Sequence, residues 1–382
     1  SLSGTIGLGN IGGVALAISI AGPGSIFWMW ITAIIGIATK FFTCTLSVMY
    51  REKTKEGEIY GGPMYVIKNG LPKRMLPLAY FFALAGMIGC LPAFQSNQLI
   101  QITGDLAFSE IENFNIFGGL ALAGITGIVV IGGLKRIAEV ATFLVPLMGS
   151  IYFGAMLIAL ILNLDQVFPA FKLILVDAFN GTAIAGGTFF GVLIYGVRRG
   201  AFSNEAGMGT ESLVHGVAKV SDPVKQGLVA MTGPIFDTLI ICTATALMIL
   251  ISGVWETSAS QGVTLTAEAF SMLLGNFGAF ILFICVICFG LSTIFTYSYY
   301  GASCSRFLFG KFGMNFYTYL YIFSIFIYSI VPIDIAINIA DGAFAMMAIP
   351  TLVSALWLAP KVMQASKNYF KLIDNHQKNE IL

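Results

Sequence analysis

The sequence predicts an all-α polytopic membrane protein whose two halves cross the bilayer in opposite senses. Three observations predict it. Of 382 residues, 57% are hydrophobic and 10% charged, with a mean hydropathy of +0.87, whereas a soluble domain carries about 25% charged residues. Apolar runs recur at about the 20 residues that one bilayer crossing needs. Gly7-Leu8-Gly9 and Gly207-Met208-Gly209 interrupt two of these runs, two hundred positions apart and in matching surroundings. This composition excludes a soluble globular enzyme, a disordered chain and a disulfide scaffold. A net charge of +1 without a basic block argues against a nucleic-acid partner.

The first run, 1–21, opens inside an apolar motif without Met and reads as a crossing whose beginning is missing, hence an N-terminally truncated chain. Gly22-Pro23-Gly24 turns it into 23–50, which stops at Arg51. The polar stretch Arg51 to Arg74 precedes 75–104; residues 105–114 lead to 115–133, and Lys135-Arg136 to 137–163. The segment 164–183 reads as a connection. The run 184–216 holds the second interruption and is followed, past Ser221-Asp222-Pro223, by 224–253. After 254–269 come 270–304, 315–331 and, past a turn at Pro332, 335–360 and the tail. That makes nine full crossings and one cut. Several exceed about 25 residues, which predicts tilt or breaks. The six cysteines lie in or beside apolar runs; Cys285 and Cys288 have redox spacing, but no second pair or histidine cluster accompanies them, so they read as packing residues.

Sixteen of the 20 Lys and Arg fall on one side of this threading, including Arg51, Lys53, Lys68, Lys135, Lys219, Arg306, Lys311 and Lys361. The opposite loops carry Asp105, Glu110, Glu112, Glu256 and Glu268. The positive-inside rule therefore makes the basic side cytoplasmic. An odd number of crossings separates the two glycine interruptions, so they are inverted. Inverted, glycine-broken helices at corresponding positions point to a secondary transporter.

Hydrocarbon tolerates unpaired backbone only where it lines a cavity or is buried in protein. Gly4, Gly7 and Gly9 make a weak helix. A break there would offer free amides to a carboxylate and free carbonyls to a cation, which suits a zwitterion with Na⁺; close helix packing through glycine is the alternative. Glu205, near the midplane of the second break, either receives an ammonium or locks the break by pairing with Arg199, and the locking role is preferred. Gln95 bonds either a substrate or a neighbouring helix. Ser292 and Thr293 offer either a neutral oxygen cage for Na⁺ or hydroxyls bonded one turn back. Asp341 lies at the depth of Arg199 and would face it as an outer gate. Asp237 and Glu211 are further charges within runs, and Lys40 is expected to snorkel to the inner interface.

Three stretches carry a closer likeness: Gly4-Thr5-Ile6-Gly7-Leu8-Gly9-Asn10-Ile11 with Gly22-Pro23-Gly24-Ser25-Ile26-Phe27-Trp28; Tyr50-Arg51-Glu52 with Gly61-Gly62-Pro63-Met64-Tyr65; and Arg199-Gly200-Ala201-Phe202-Ser203-Asn204-Glu205-Ala206-Gly207-Met208-Gly209 continuing to Pro223-Val224-Lys225-Gln226-Gly227. Over essentially its whole length the chain resembles the alanine or glycine:cation symporter family of prokaryotes. The resemblance implies a LeuT-like five-plus-five inverted-repeat fold with discontinuous first and sixth core helices: repeats at 1–163 and 164–360, and a cytoplasmic tail at 361–382. It implies a multi-pass protein of the bacterial inner membrane, monomeric in its lipid, taking up small neutral amino acids (alanine or glycine) with Na⁺ or, less often, H⁺. No organic cofactor and no catalytic residues are implied.

The same resemblance assigns substrate binding to Thr5, Gly7, Leu8, Gly9, Gln95, Phe202, Ser203, Asn204 and Met208, with Phe202 as a lid. It assigns Na⁺ to the Ser3, Ile6 and Phe289 carbonyls and the Ser292 and Thr293 hydroxyls, and gating or structural roles to Arg199, Glu205 and Asp341. Departures from the family pattern are Thr43 in place of an acidic residue, Phe344 and Thr351 in place of asparagines, and Thr296-Tyr297 in place of Gly-Trp. Family members also carry an N-terminal crossing absent here. A proton-coupled symporter, or a transport-inactive fragment or sensor with this fold, is the competing expectation.

Overall fold

The computed structural model describes residues 2–54, 57–180 and 188–381, and among these the chain is helical apart from turns and one small hairpin. The first run is split. Helix α1 (Leu2–Thr5) gives way to a 3-10 turn at Leu8–Asn10 before α2 (Gly12–Ala21) begins. Gly22 adopts φ +87°, a region that side chains with a Cβ avoid, and so lets the chain turn into α3 (Ser25–Met49). The hairpin of β1 (Glu52–Lys53) and β2 (Ile59–Tyr60) is antiparallel, pairing Glu52 with Tyr60. Helices α4 (Pro63–Gly70), α5 (Leu76–Gly89), α6 (Ala93–Ala107), α7 (Phe114–Val130) and α8 (Gly133–Leu162) follow.

The segment expected to be a connection, 164–183, is a helix as far as it is described: α9 runs over Leu164–Asn180, and 181–183 lie outside the described residues. Its buried face is Ala170, Ile174 and Ala178, four residues apart, packed against α3 and α14 (Thr243–Ser252). Asp165, Pro169, Lys172 and Asp177 had masked that stripe. Asp177 is itself buried and accepts the Gly24 amide at 2.7 Å, fastening the α2–α3 turn.

Helix α10 (Phe189–Asn204) breaks before α11 (Thr210–His215). The next crossing is α12 (Pro223–Ala230), α13 (Thr232–Pro234), a π-helical turn at Ile235–Cys242, and then α14. A π turn widens the helix and re-aims its side chains, a device common at functional sites; this one carries Asp237. After the short α15 (Val254–Thr257), α16 spans Val263–Ile330 with non-helical kinks at Gly275 and Gly310. It doubles back at Gly310: the Tyr321 hydroxyl donates to the Ile294 carbonyl at 2.6 Å, and Ser305 Oγ to the Gly313 carbonyl at 2.8 Å. Helix α17 (Ile333–Ile381) closes the chain.

Six helical stretches among the described residues are long and apolar enough to span a bilayer, and Leu8–Ala21 and Phe114–Val130 are shorter apolar helices. The burial pattern is that of a protein dissolved in lipid. Phe143 and Phe312 are 71% and 78% exposed, while Arg199, Glu205 and Asp237 are 1%, 0% and 0% exposed. The apolar side chains face out and the ionisable ones face in, the reverse of a soluble domain. The protein is thus an integral, multi-pass membrane protein.

Candidate functional site

The first break is held open by side chains. Asn10 Oδ1 accepts the Gly7 amide at 3.0 Å, in place of the helical bond that Gly7 lacks. The Leu8 and Gly9 amides form no hydrogen bond to another described residue, which leaves two donors at the start of the outer half-helix. A Cβ on Gly7 would strike Thr293 Oγ1, and one on Gly9 would come to 3.2 Å from the Phe202 ring. Close approach therefore excludes a Cβ at Gly7, which faces α16, while at Gly9, which faces the second break, a Cβ would require the Phe202 ring to shift.

That second break turns through Glu205, Gly207 and Gly209, whose φ values are +56°, +83° and +87°. A glutamate in the left-handed region is strained and must be held by its surroundings. Tyr297 donates to its Oε1 at 2.6 Å and Thr210 to its Oε2 at 2.9 Å. The expected pairing of Glu205 with Arg199 is not what the structure shows: Arg199 pairs with Asp341, and the two hydroxyls take the Glu205 carboxylate instead. Tyr297, where the family resemblance led us to expect Trp, supplies one of these two hydrogen bonds. Asn204 Oδ1 accepts the Ala206 amide at 2.9 Å, and its buried Nδ2 finds no partner among the described residues.

Asp237 joins the two breaks. Its carboxylate accepts Asn10 Nδ2, the Ser203 hydroxyl at 2.9 Å and the Thr238 hydroxyl at 2.7 Å. No cation lies within ion-pair distance of it among the described residues. One buried carboxylate thus receives a hydrogen bond from each interruption, a role that sequence spacing alone did not reveal.

On the inner side of the first break, Ser292 and Thr293 hydroxyls donate to the Phe289 carbonyl at 3.0 and 2.9 Å, and both lie 3.5 Å from the Ser3 carbonyl. Ser3 Oγ reaches the Ser292 carbonyl at 3.1 Å and Thr296 Oγ1 at 2.9 Å. Four of the five expected ion ligands therefore converge; Ile6, the fifth, is buried at the edge of the break. The set is oxygen-only and uncharged, which suits a hard monovalent cation better than a divalent one.

Aromatic rings close the outer side. Phe202 packs against Phe94 and Phe344, each at 5.5 Å between centroids, and Arg199 sits 5.2 Å above it. Arg199 pairs with Asp341, and Arg198 Nε lies 2.6 Å from the same carboxylate. The outer ion pair expected from matched depth is present. Arg199 Nε and Nη1 are buried and have no hydrogen-bond partner among the described residues. Asp341→Asn would leave that guanidinium uncompensated, a loss of about 3–5 kcal/mol. The purified variant is expected to unfold at a markedly lower temperature than Arg198→Gln, whose side chain is 43% exposed; equal melting curves for the two would refute the pairing.

Of the other expected residues, Gln95 is buried beside Phe94 and bonds no described residue, Met208 is buried at the second break, and Thr5 is buried at the end of α1. Lys40 does not snorkel: it is 1% exposed, with its ammonium against Gly233. Thr43 donates to Glu211 Oε1 at 3.0 Å, so an acidic side chain from α11 stands where a neighbouring one was expected on α3. Gln98 was not singled out, yet its Oε1 accepts the Val263 amide at 3.0 Å and pins α6 to the start of α16.

A family model for the sodium:alanine symporter family matches residues 1–381. The chain belongs to that family. Among curated relatives, the sodium/alanine symporter AgcS of Methanococcus maripaludis is 37% identical over 99% of this chain and 84% of its own length. An uncharacterised transporter of Bacillus subtilis, YflA, is 37% identical over 97% of this chain and 79% of its own. A probable sodium/glutamine symporter of the same organism, GlnT, is 35% identical over 97% and 77%. Membership in a family of sodium-coupled amino-acid transporters fits a cluster of uncharged oxygens and a broken helix enclosed in an apolar shell. It also places the protein in the plasma membrane.

Proposed function

We propose that this member of the sodium:alanine symporter family imports alanine or glycine together with Na⁺ by alternating access, on a LeuT-like five-plus-five frame with repeats at 1–163 and 164–360. The observation that carries the proposal is the junction of the two breaks: Asn10 and Ser203 meet on Asp237, while the first break also presents the Leu8 and Gly9 amides and its Ser3 carbonyl meets Ser292 and Thr293. The substrate carboxylate takes the free amides at a half-helix N-terminus. The ammonium faces Gln95 and the wall formed by Ser203, Asn204 and Met208. Na⁺ sits on the oxygens that bridge α1 and α16, bracing the first break and so raising affinity for the amino acid. Phe202 covers the substrate, and the Arg199–Asp341 pair closes above it. Rocking of one bundle against the rest exposes the site to each side in turn. At about 2.3 kcal/mol per charge per 100 mV, the ion also couples uptake to membrane potential.

Small substrates follow from Phe344. Its ring occupies space beside Phe202 and lies 6.4 Å from Tyr297. The proposal is tested by counterflow of labelled alanine into proteoliposomes. Wild-type exchange should require Na⁺, fail in choline at every pH, and be blocked by glycine but weakly by glutamine. Phe344→Ala should admit larger side chains and strengthen inhibition by glutamine about tenfold, since a methylene or two in an apolar pocket is worth about 1–3 kcal/mol. Exchange that persists in choline and follows pH would favour proton coupling and overturn the sodium assignment.

A further inference from the structure

Helix α1 is a single turn, Leu2–Thr5. One turn has too few internal hydrogen bonds to fix its own orientation. The aim of the Ser3 carbonyl, the oxygen that faces the Ser292 and Thr293 hydroxyls, is therefore set by what α1 rests on. It rests on α16. Gly4 brings the two backbones close: a Cβ there would come to 2.5 Å from the Tyr300 hydroxyl oxygen and 3.1 Å from the Thr296 methyl group.

Thr296 stands one turn further along α16 than Ser292. Its hydroxyl lies 2.9 Å from Ser3 Oγ and donates to the Ser292 carbonyl, also at 2.9 Å. With its proton on that carbonyl, its lone pairs accept the Ser3 proton. Ser3 Oγ lies 3.1 Å from the same carbonyl. Three oxygens thus close a triangle between α1 and α16. Ser3 and Thr296 are each 6% exposed, so water does not compete for these bonds. The hydroxyl and the carbonyl of Ser3 belong to one residue. Fixing the first leaves the second little freedom to turn from the Ser292 and Thr293 hydroxyls, 3.5 Å away. Thr296 is not one of the expected ligands, since its oxygen bonds the Ser292 carbonyl and not the Ser292 hydroxyl.

We propose that Thr296 is a positioning residue of the ion site: by holding the Ser3 hydroxyl it aims the Ser3 carbonyl at the cation, and so sets the affinity for Na⁺. The inference rests on the ion site proposed above.

Its test is the Na⁺ dependence of alanine uptake by the full chain in proteoliposomes, for Thr296→Val, Thr296→Ser, Ser3→Ala and the double variant Ser3→Ala/Thr296→Val. Valine sets a methyl where the Thr296 oxygen stands, closer to Ser3 Oγ than carbon and oxygen pack, and pushes it out of the triangle. The Na⁺ concentration for half-maximal uptake should rise about fivefold in Thr296→Val, the scale of one net hydrogen bond. Maximal uptake at saturating Na⁺ and the unfolding temperature should stay near wild type. Thr296→Ser keeps the hydroxyl and should keep the wild-type Na⁺ dependence. Ser3→Ala should match Thr296→Val, and the double variant should be no worse than either, because all three remove the same contact. A wild-type Na⁺ dependence in Thr296→Val would overturn the proposal, whether or not maximal uptake or unfolding temperature falls. So would an equal rise in Thr296→Ser, or additive effects in the double variant. Thr293→Val in the same assay separates this role from the site itself. If it raises the Na⁺ requirement and Thr296→Val does not, the positioning role alone falls; if neither does, the ion assignment falls and the positioning role with it.

Discussion

Asp237→Ala is expected to reduce sodium-driven alanine uptake by about 100-fold, equivalent to about 2.7 kcal/mol. The carboxylate is the shared acceptor of Asn10, Ser203 and Thr238. Removing it takes the acceptor from Thr238 and leaves Asn10 with the residue 237 carbonyl and Ser203 with Cys242 Sγ as weaker partners; a buried donor left without its acceptor costs about 1–3 kcal/mol. Removing it also loosens Asn10, the residue that holds the Gly7 amide and so keeps the first break in shape. Asp237→Asn keeps the volume but turns an acceptor into a group that is half donor, facing an Asn10 that already donates. It should therefore fold better than the alanine variant and still transport poorly. The measurement is initial uptake in proteoliposomes, normalised to protein found in the membrane. Uptake within about twofold of wild type for both variants, at normal abundance, would mean that the junction is packing and no more.

Thr293→Val is expected to act on the ion instead of the amino acid. The hydroxyl donates to the Phe289 carbonyl and faces the Ser3 carbonyl. Valine keeps the branched shape while removing the oxygen. The Na⁺ concentration for half-maximal uptake should rise about tenfold, or about 1.4 kcal/mol. Uptake at saturating Na⁺ should fall much less, and Ser292→Ala should behave alike. A Na⁺ dependence identical to wild type in both variants would place the ion elsewhere.

The features legible in the sequence were local ones, with the Arg199–Asp341 pair the exception. Glycine density marked both breaks, since each Gly-x-Gly lies within one turn of its own interruption. The apolar runs marked most of the helices, and matched depth in the membrane brought Arg199 and Asp341 together. What stayed hidden depended on distant partners. Asp237 sits 227 positions from Asn10 and 34 from Ser203, and only the fold makes one carboxylate their common acceptor. Glu205 was readable as an ionisable group at the second break, but its partner was misassigned to Arg199 and Tyr297, 92 positions away, was not readable. Lys40 resembled an interfacial lysine because its immediate neighbours are apolar; its burial is set by the crossing that carries Gly233. Helix α9 was missed for a different reason: four polar or helix-breaking residues obscured a three-residue apolar stripe that was present in the sequence.

The central claim is that an ion bracing the first interruption and an amino acid held between the two interruptions strengthen each other's binding. Equilibrium binding to the purified protein tests this most directly, with labelled alanine titrated at increasing Na⁺ and Na⁺ titrated at increasing alanine. Linkage demands that the two affinities rise by the same factor, and a brace spanning the first break predicts a factor of about ten or more. Alanine affinity that is the same in sodium and in choline would contradict the account.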